Sequence, residues 1–258
     1  RLDDERSRLV TALQAAKTLR RDAYPAFREI IHAATHHTVA PASYVPRGNE
    51  PTWVRTLSDR RVLLLSGPPR CGKSDAACWV AAQLEQLGYT SLKFGDLSTA
   101  ERWLLEPGRN SKVAVLDDPL GTASGNEPSP EAALRRLDGL IKSLPPEKRL
   151  VVSQSQEPLL AATRAKRLSD VVTGSLHWED LGLLTHEFLK GVWKHHAELE
   201  GIPQRLFQQV NEGLDSGEVV LDPGSLRHLA AFHGRLDPDA TLDDAVALAS
   251  ESASAFAA

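Results

Sequence analysis

The chain has 258 residues, 41% of them apolar and 25% charged, with a formal net charge of −4. That is enough apolar material for one large packed unit or two small ones, and the weak negative charge excludes a global attraction to nucleic acid or to an acidic membrane. No apolar run approaches the roughly 18 residues a membrane-crossing helix needs, and no signal peptide opens the chain.

The two cysteines, Cys71 and Cys78, make neither a disulfide framework nor a zinc pattern, which points to the reducing cytoplasm. The absence of methionine, at the start and throughout, reads as a piece of a longer protein with a domain upstream.

From Leu2 to Thr35, charged residues interleave with Leu9, Leu13, Leu19, Phe27, Ile30 and Ile31 at helical spacing, broken at Pro25. This predicts a helical lead-in over residues 1–42. Glu29, His32 and His36 fall on one helix face and His37 adjoins them, but no cysteine or acidic partner follows, so packed or solvated histidines are expected rather than a metal site. Pro41 to Pro51, with Gly48 and Asn49, has the composition of an irregular connection.

A nucleotide-binding unit is expected over 43–180. Val62 to Leu65 is a short branched apolar run suited to a strand buried on both faces, and Asp75 to Leu87 is Ala-rich and helical. Between them lies Gly67-Pro68-Pro69-Arg70-Cys71-Gly72-Lys73-Ser74, of the form G-x-x-x-x-G-K-S. In the order strand, Gly-rich turn, helix, such a loop turns its amides and the positive end of the helix dipole onto phosphates. Lys73 then reaches the β and γ phosphates, and the Ser74 hydroxyl holds Mg²⁺.

A second strand is predicted at Thr90–Phe94 and a short helix from Ser98 to Glu106. Lys112 to Asp118 then reads as an apolar strand ending in two carboxylates. This is the Walker B pattern, in which an acid at the strand end holds Mg²⁺ through water. Asp117 is placed in that role and Asp118 where an acid orients the attacking water, although Asp-Asp also opens ordinary turns. Gly121 to Pro130 is a Gly-, Ser- and Pro-rich loop placed to sense the γ phosphate, Glu131 to Ser143 a helix, and Arg149 to Ser153 a strand followed by Gln154 that carries the usual sensor position.

A helix over Glu157–Leu168 would carry the basic cluster Arg164, Lys166 and Arg167, read as a solvated face or as a contact to phosphates or a neighbouring subunit. Leu176-His177-Trp178 is the expected last strand. Residues 181–258 read as a helical lid, with Glu218–Leu221 as its only strand-like stretch.

Four stretches together, Tyr44-Val45-Pro46-Arg47, the phosphate loop, Val115 to Gly121 and Leu150 to Gln156, resemble the STAND class of P-loop ATPases, specifically a bacterial novel-STAND nucleotide-binding domain. The resemblance implies an AAA-like parallel α/β sheet flanked by helices and ATP or ADP with Mg²⁺. It further implies a switch coupled to homo-oligomerisation, an effector fused upstream, and a place in antiphage or stress signalling. It assigns phosphate binding to Lys73, Mg²⁺ to Ser74 and Asp117, and water to Asp118.

Two departures stand out. Arg70 occupies a position where glycine is usual, and a side chain there disfavours positive φ. Gln154 supplies no positive charge where the family carries arginine after the strand, which predicts slow hydrolysis. Two other classes fit less well. A DNA-acting AAA-type ATPase such as a transposition regulator would use the basic cluster on nucleic acid, with a steep salt dependence. A small-molecule P-loop kinase suits neither the helical tail nor the paired acids.

Overall fold

The computed structural model describes residues 44–108, 110–121 and 129–255, with side chains to residue 251. The helical lead-in, the Glu29, His32, His36 and His37 set and most of the loop between Gly121 and Pro130 lie outside the described residues.

The first helix of the described residues, α1 (Glu50–Arg60), starts inside the stretch expected to be irregular. Pro51 falls in its first turn, where a missing N–H costs nothing, and Trp53 and Leu57, one turn apart, bury its inner face. Next come β1 (Val62–Gly67), α2 (Lys73–Glu85), β2 (Thr90–Phe94), α3 (Leu97–Leu104), β3 (Lys112–Asp117), α4 (Pro130–Ser143), β4 (Lys148–Ser155) and α5 (Gln156–Thr163). After α5 the chain forms β5 (Val172–Thr173), β6 (Leu176–His177) and β7 (Glu179–Asp180).

The main sheet has the order β2-β3-β4-β1-β7, and its pairs are parallel. Parallel neighbours require crossover helices, and these cover both faces. Val62, Leu64, Leu92, Ala114, Leu116, Leu150 and Val152 meet α3, α4 and α5, while Leu63, Leu65, Val113, Val115 and Val151 meet α1 and α2. The two-residue side-chain period of the strands therefore serves two cores at once, which is why these runs are continuously apolar.

Three expectations need correction. The helix after β4 ends at Thr163, where Arg164 takes φ 55 as its C-cap, so Arg164, Lys166 and Arg167 stand on an exposed loop rather than on a helix face. Leu176-His177-Trp178 is not the last strand of the sheet. Leu176 and His177 pair antiparallel with Thr173 and Val172 across Gly174 (φ 59) and Ser175 (φ 68), a two-residue hairpin turn whose positive φ values match strand twist. Trp178 is core, donating to Thr173 Oγ1 at 3.1 Å, and the fifth parallel strand is β7, whose charged side chains suit an edge. Glu218–Leu221 forms no strand among the described residues. Its alternation of buried Val219 and Leu221 with exposed Val220 records packing along helices.

The expected helical region follows as α6 (His186–Glu200), α7 (Gln204–Ser216), α8 (Pro223–Phe232) and α9 (Leu242–Ala255). Trp193, fully buried, stacks on Phe207 at 6.2 Å and donates to its carbonyl at 3.1 Å. His196, also buried, is pushed down to about 4 by that burial, with positive charge from His195 and Arg227 adding to it. Because its folded pKa lies below the ordinary 6.5, the unfolded chain binds the extra proton, and the contribution to stability is complete above pH 6.5 and lost as pH falls to about 4. Urea unfolding at pH 7 and at pH 4 should differ by on the order of 2 kcal/mol through this residue. His196→Gln should flatten that part of the profile.

Candidate functional site

Parallel α/β sheets offer ligands the C-terminal ends of their strands. Here those ends bring together Gly67 of β1, Asp117 of β3, Gln154 and Ser155 of β4 and Lys93 near the end of β2. The register sets Asp117 beside Ser153 and Gly67 beside Ser155. The expected loop, Gly67 to Ser74, joins β1 to α2 at this edge. A Cβ on Gly67 would lie 2.9 Å from Cys71 Sγ and 3.1 Å from the Gly182 nitrogen, so only glycine fits. Gly72 caps α2 at φ 89. Pro68 and Pro69 form the exposed crest, and buried Lys73 reaches back to donate to the Pro68 carbonyl at 2.9 Å. Arg70 does adopt positive φ, at 65, a conformation that costs an L-residue roughly 1–2 kcal/mol.

Asp117 is the hub. Its Oδ1 accepts from Ser74 Oγ at 2.7 Å and Ser153 Oγ at 2.5 Å, and its Oδ2 pairs with Lys93 Nζ at 2.6 Å. Burial works to raise the carboxyl, but the hydrogen bonds from Lys93, Ser153 and Ser74 and the Lys93 charge outweigh it and hold Asp117 below the usual carboxylate range. Asp118 turns at φ 46, donates its N–H to the Ser153 carbonyl at 2.7 Å, and accepts on Oδ1 from the Ser155 N–H at 2.6 Å and Gln154 Nε2 at 3.2 Å. Gln154 is buried, and its Oε1 accepts from the Leu120 N–H at 2.9 Å. Its amide thus braces the two strand ends and the Asp118 carboxylate.

The segment before α1 straps this edge down. Glu50, buried, accepts from Tyr44 Oη and from the Arg47 and Gly48 N–H groups. Arg47 donates to the Leu181 carbonyl at 3.1 Å and to the Cys71 carbonyl, and its guanidinium lies 4.4 Å from the centre of the Phe188 ring on α6. On α8, Arg227 Nη1 stands 3.9 Å from Asp75 Oδ2, one residue past the loop.

Residues 44–183 match the novel STAND NTPase 3 family, which is more than half of the chain. The chain belongs to that family. A search of curated proteins finds no match. Among solved structures, this STAND NTPase is similar to PCH-2 of C. elegans (13% identity, TM-score 0.44, covering 84% of this chain and 71% of that one). It is also similar to domain III of the Thermotoga maritima replication initiation protein DnaA (14% identity, TM-score 0.47, covering 80% and 93%).

Family membership implies a nucleotide and, typically, Mg²⁺, and the residues present fit both. The loop presents the amides at the start of α2 together with a buried ammonium, and Arg47 Nε is buried without a partner beside it. The Ser74 hydroxyl and Asp117 carboxylate are hard oxygen donors; Mg²⁺ takes few protein ligands and draws the rest from phosphate and water. No group of three or more His, Cys, Asp or Glu side chains able to hold a metal occurs among the described residues, and no helix among them is long and apolar enough to cross a membrane.

Several residues at this STAND NTPase site carried no usable signal in the sequence. Lys93 looked like an ordinary strand lysine, and a charged residue opposite apolar neighbours was its only clue. Arg227 lay in a segment read only as lid. Arg47 belongs to the stretch that carries the family resemblance, but nothing in that stretch gives it a role.

Proposed function

We propose that this NTPase domain is an ATP- or ADP-bound signalling switch within a larger protein, with hydrolysis as its slow reset. The reading rests above all on the 2.7 Å bond between Ser74 and Asp117, which puts the loop hydroxyl and the strand carboxylate where one Mg²⁺ can use both. In this assignment the loop residues Gly67 to Ser74 cradle the phosphates and Lys73 neutralises them. Ser74 and Asp117 hold Mg²⁺, which when bound draws charge off the phosphate oxygens.

Asp118 keeps Oδ1 on Ser155 and Gln154, so its Oδ2 is the oxygen that orients water and accepts its proton. Gln154, committed to the protein, lends the γ phosphate no positive charge. An arginine supplied in trans is worth about 10³ to 10⁵ in rate. The isolated domain therefore turns over slowly, and homo-oligomerisation raises the rate by delivering a neighbour's exposed Arg164 or Arg167. Residues 43–180 form the nucleotide unit, 181–258 its lid and 1–42 the link to an upstream effector, with antiphage signalling as the setting. A nucleic-acid role is disfavoured by the net negative charge.

Mass analysis of nucleotide released from the purified protein should find an adenine nucleotide, and ATP turnover per subunit should rise with protein concentration. Turnover of tens per second by dilute monomer, within the usual range for phosphoryl-transfer enzymes of about 1–100 s⁻¹, would make it a turnover enzyme instead. Asp117→Asn should weaken Mg²⁺-dependent binding. Asp118→Asn should leave nucleotide affinity largely intact and cut turnover by roughly 10²-fold or more, the scale of a lost general base. Identical defects would show that the two acids do not divide the work.

A further inference from the structure

Arg70, in the phosphate loop, grips the helical region with both main chain and side chain. Its carbonyl accepts the Gly224 N–H at 3.2 Å, its Nη2 donates to Ser225 Oγ at 2.8 Å, and its Nε lies 3.4 Å from Asp222 Oδ1. These partners form the first turn of α8. Asp222 caps that turn by accepting from the Ser225 N–H at 2.8 Å and Ser225 Oγ at 3.1 Å, and Ser225 is 4% exposed.

The approach is tight enough to exclude a side chain on the lid. A Cβ on Gly224 would meet Arg70 Cβ at 2.9 Å, Arg70 Nε at 3.0 Å and Asp222 Oδ1 at 3.1 Å. The strained φ of 65 at Arg70 is what aims its carbonyl and guanidinium outward at α8, and strain of this kind persists only where surrounding contacts hold it.

We propose that Arg70 is a positioning residue that latches the lid onto the phosphate loop and so gates nucleotide exchange. The proposal rests on the nucleotide-binding reading of the loop. The partners named above are protein atoms of the first turn of α8. The loop main chain that faces phosphate is continuous with the carbonyl that holds Gly224. A nucleotide leaving the loop must therefore either shift that carbonyl or wait until the first turn of α8 lets go. The same turn leads to Arg227 above Asp75, so the latch also sets how close this second guanidinium comes to the loop.

The test is displacement of a fluorescent ADP analogue, followed by stopped flow, with hydrogen exchange at residues 222–226 as a ligand-independent readout. Arg70→Gly accepts positive φ without strain and removes the guanidinium. It should speed analogue dissociation at least tenfold and speed amide exchange at 222–226, with an unchanged far-UV circular dichroism spectrum. Gly224→Ala should do the same by steric wedging, and the double variant should be little worse than Arg70→Gly alone, because the two tightest approaches, to Arg70 Cβ and Nε, disappear with that side chain and leave only Asp222 Oδ1 at 3.1 Å. Arg70→Lys, which keeps the charge without the fork, should fall between wild type and Arg70→Gly.

If wild type binds the analogue and Lys73→Ala does not, yet Arg70→Gly dissociates at the wild-type rate or the two substitutions add, the latch is overturned. If Lys73→Ala binds as tightly as wild type, the nucleotide reading itself has failed, whatever Arg70 does.

Discussion

Replacing Lys73 with alanine should remove measurable binding of both ATP and ADP, an affinity loss of at least roughly 100-fold. A hydrogen bond from a charged donor contributes about 1.5–3 kcal/mol, and Lys73 is placed to make more than one such bond. Lys73 is 6% exposed, and its ammonium reaches back over the loop to the Pro68 carbonyl. Little solvent is left there to substitute for the lost charge. Isothermal titration checks the loss, and a native circular dichroism spectrum separates it from misfolding. Titrations indistinguishable from wild type would remove the phosphate loop from the site.

The second large effect concerns stability. Trp193→Ala should cost about 3–5 kcal/mol, as for other fully buried aromatic truncations. Val192, Val210, Leu214, Leu226 and Leu229 pack in the same cluster, and the indole is both stacked on Phe207 and bonded to its carbonyl. Trp193→Phe keeps most of the contact but leaves the Phe207 carbonyl without that donor, so its cost should be nearer 1–2 kcal/mol. Urea unfolding followed by circular dichroism reads both. A cost below about 1 kcal/mol for the alanine variant would fall outside the range for truncating a buried aromatic and show that the helical unit is not built around this ring.

Much of the parallel unit was legible because its signals are local. A branched apolar run such as Val62–Leu65 has few outlets other than a strand covered on both faces. The G-x-x-x-x-G-K-S spacing fixes which residues open α2, and an apolar strand ending in Asp117 and Asp118 marks its own C-terminal end. The misreadings have an equally physical origin. Pro51 closes a stretch with the composition of an irregular connection, Pro41 to Pro51, yet a first-turn proline also fits a helix. Gly174-Ser175 carries no Asn-Gly or Asp-Gly signature, yet it turns a hairpin that takes Leu176–His177 out of the main sheet and leaves Glu179–Asp180 as its last strand. The Val219 and Leu221 alternation imitated a strand because an extended chain lying along helices also buries every second side chain.

The sequence by itself determined the α/β class, the phosphate-type loop and the two carboxylates, because each depends on residues within one turn or one strand of each other. What only the tertiary structure decided is who surrounds them. Lys93 reaches Asp117 because β2 lies beside β3. Gln154 braces Asp118 because β4 returns next to β3. Arg70 and Arg227 meet Asp222 and Asp75 because the C-terminal helices pack against the loop across some 150 residues of chain. Contacts at such separations follow from strand order and from the docking of α8, and neither of these is written in the spacing of any motif.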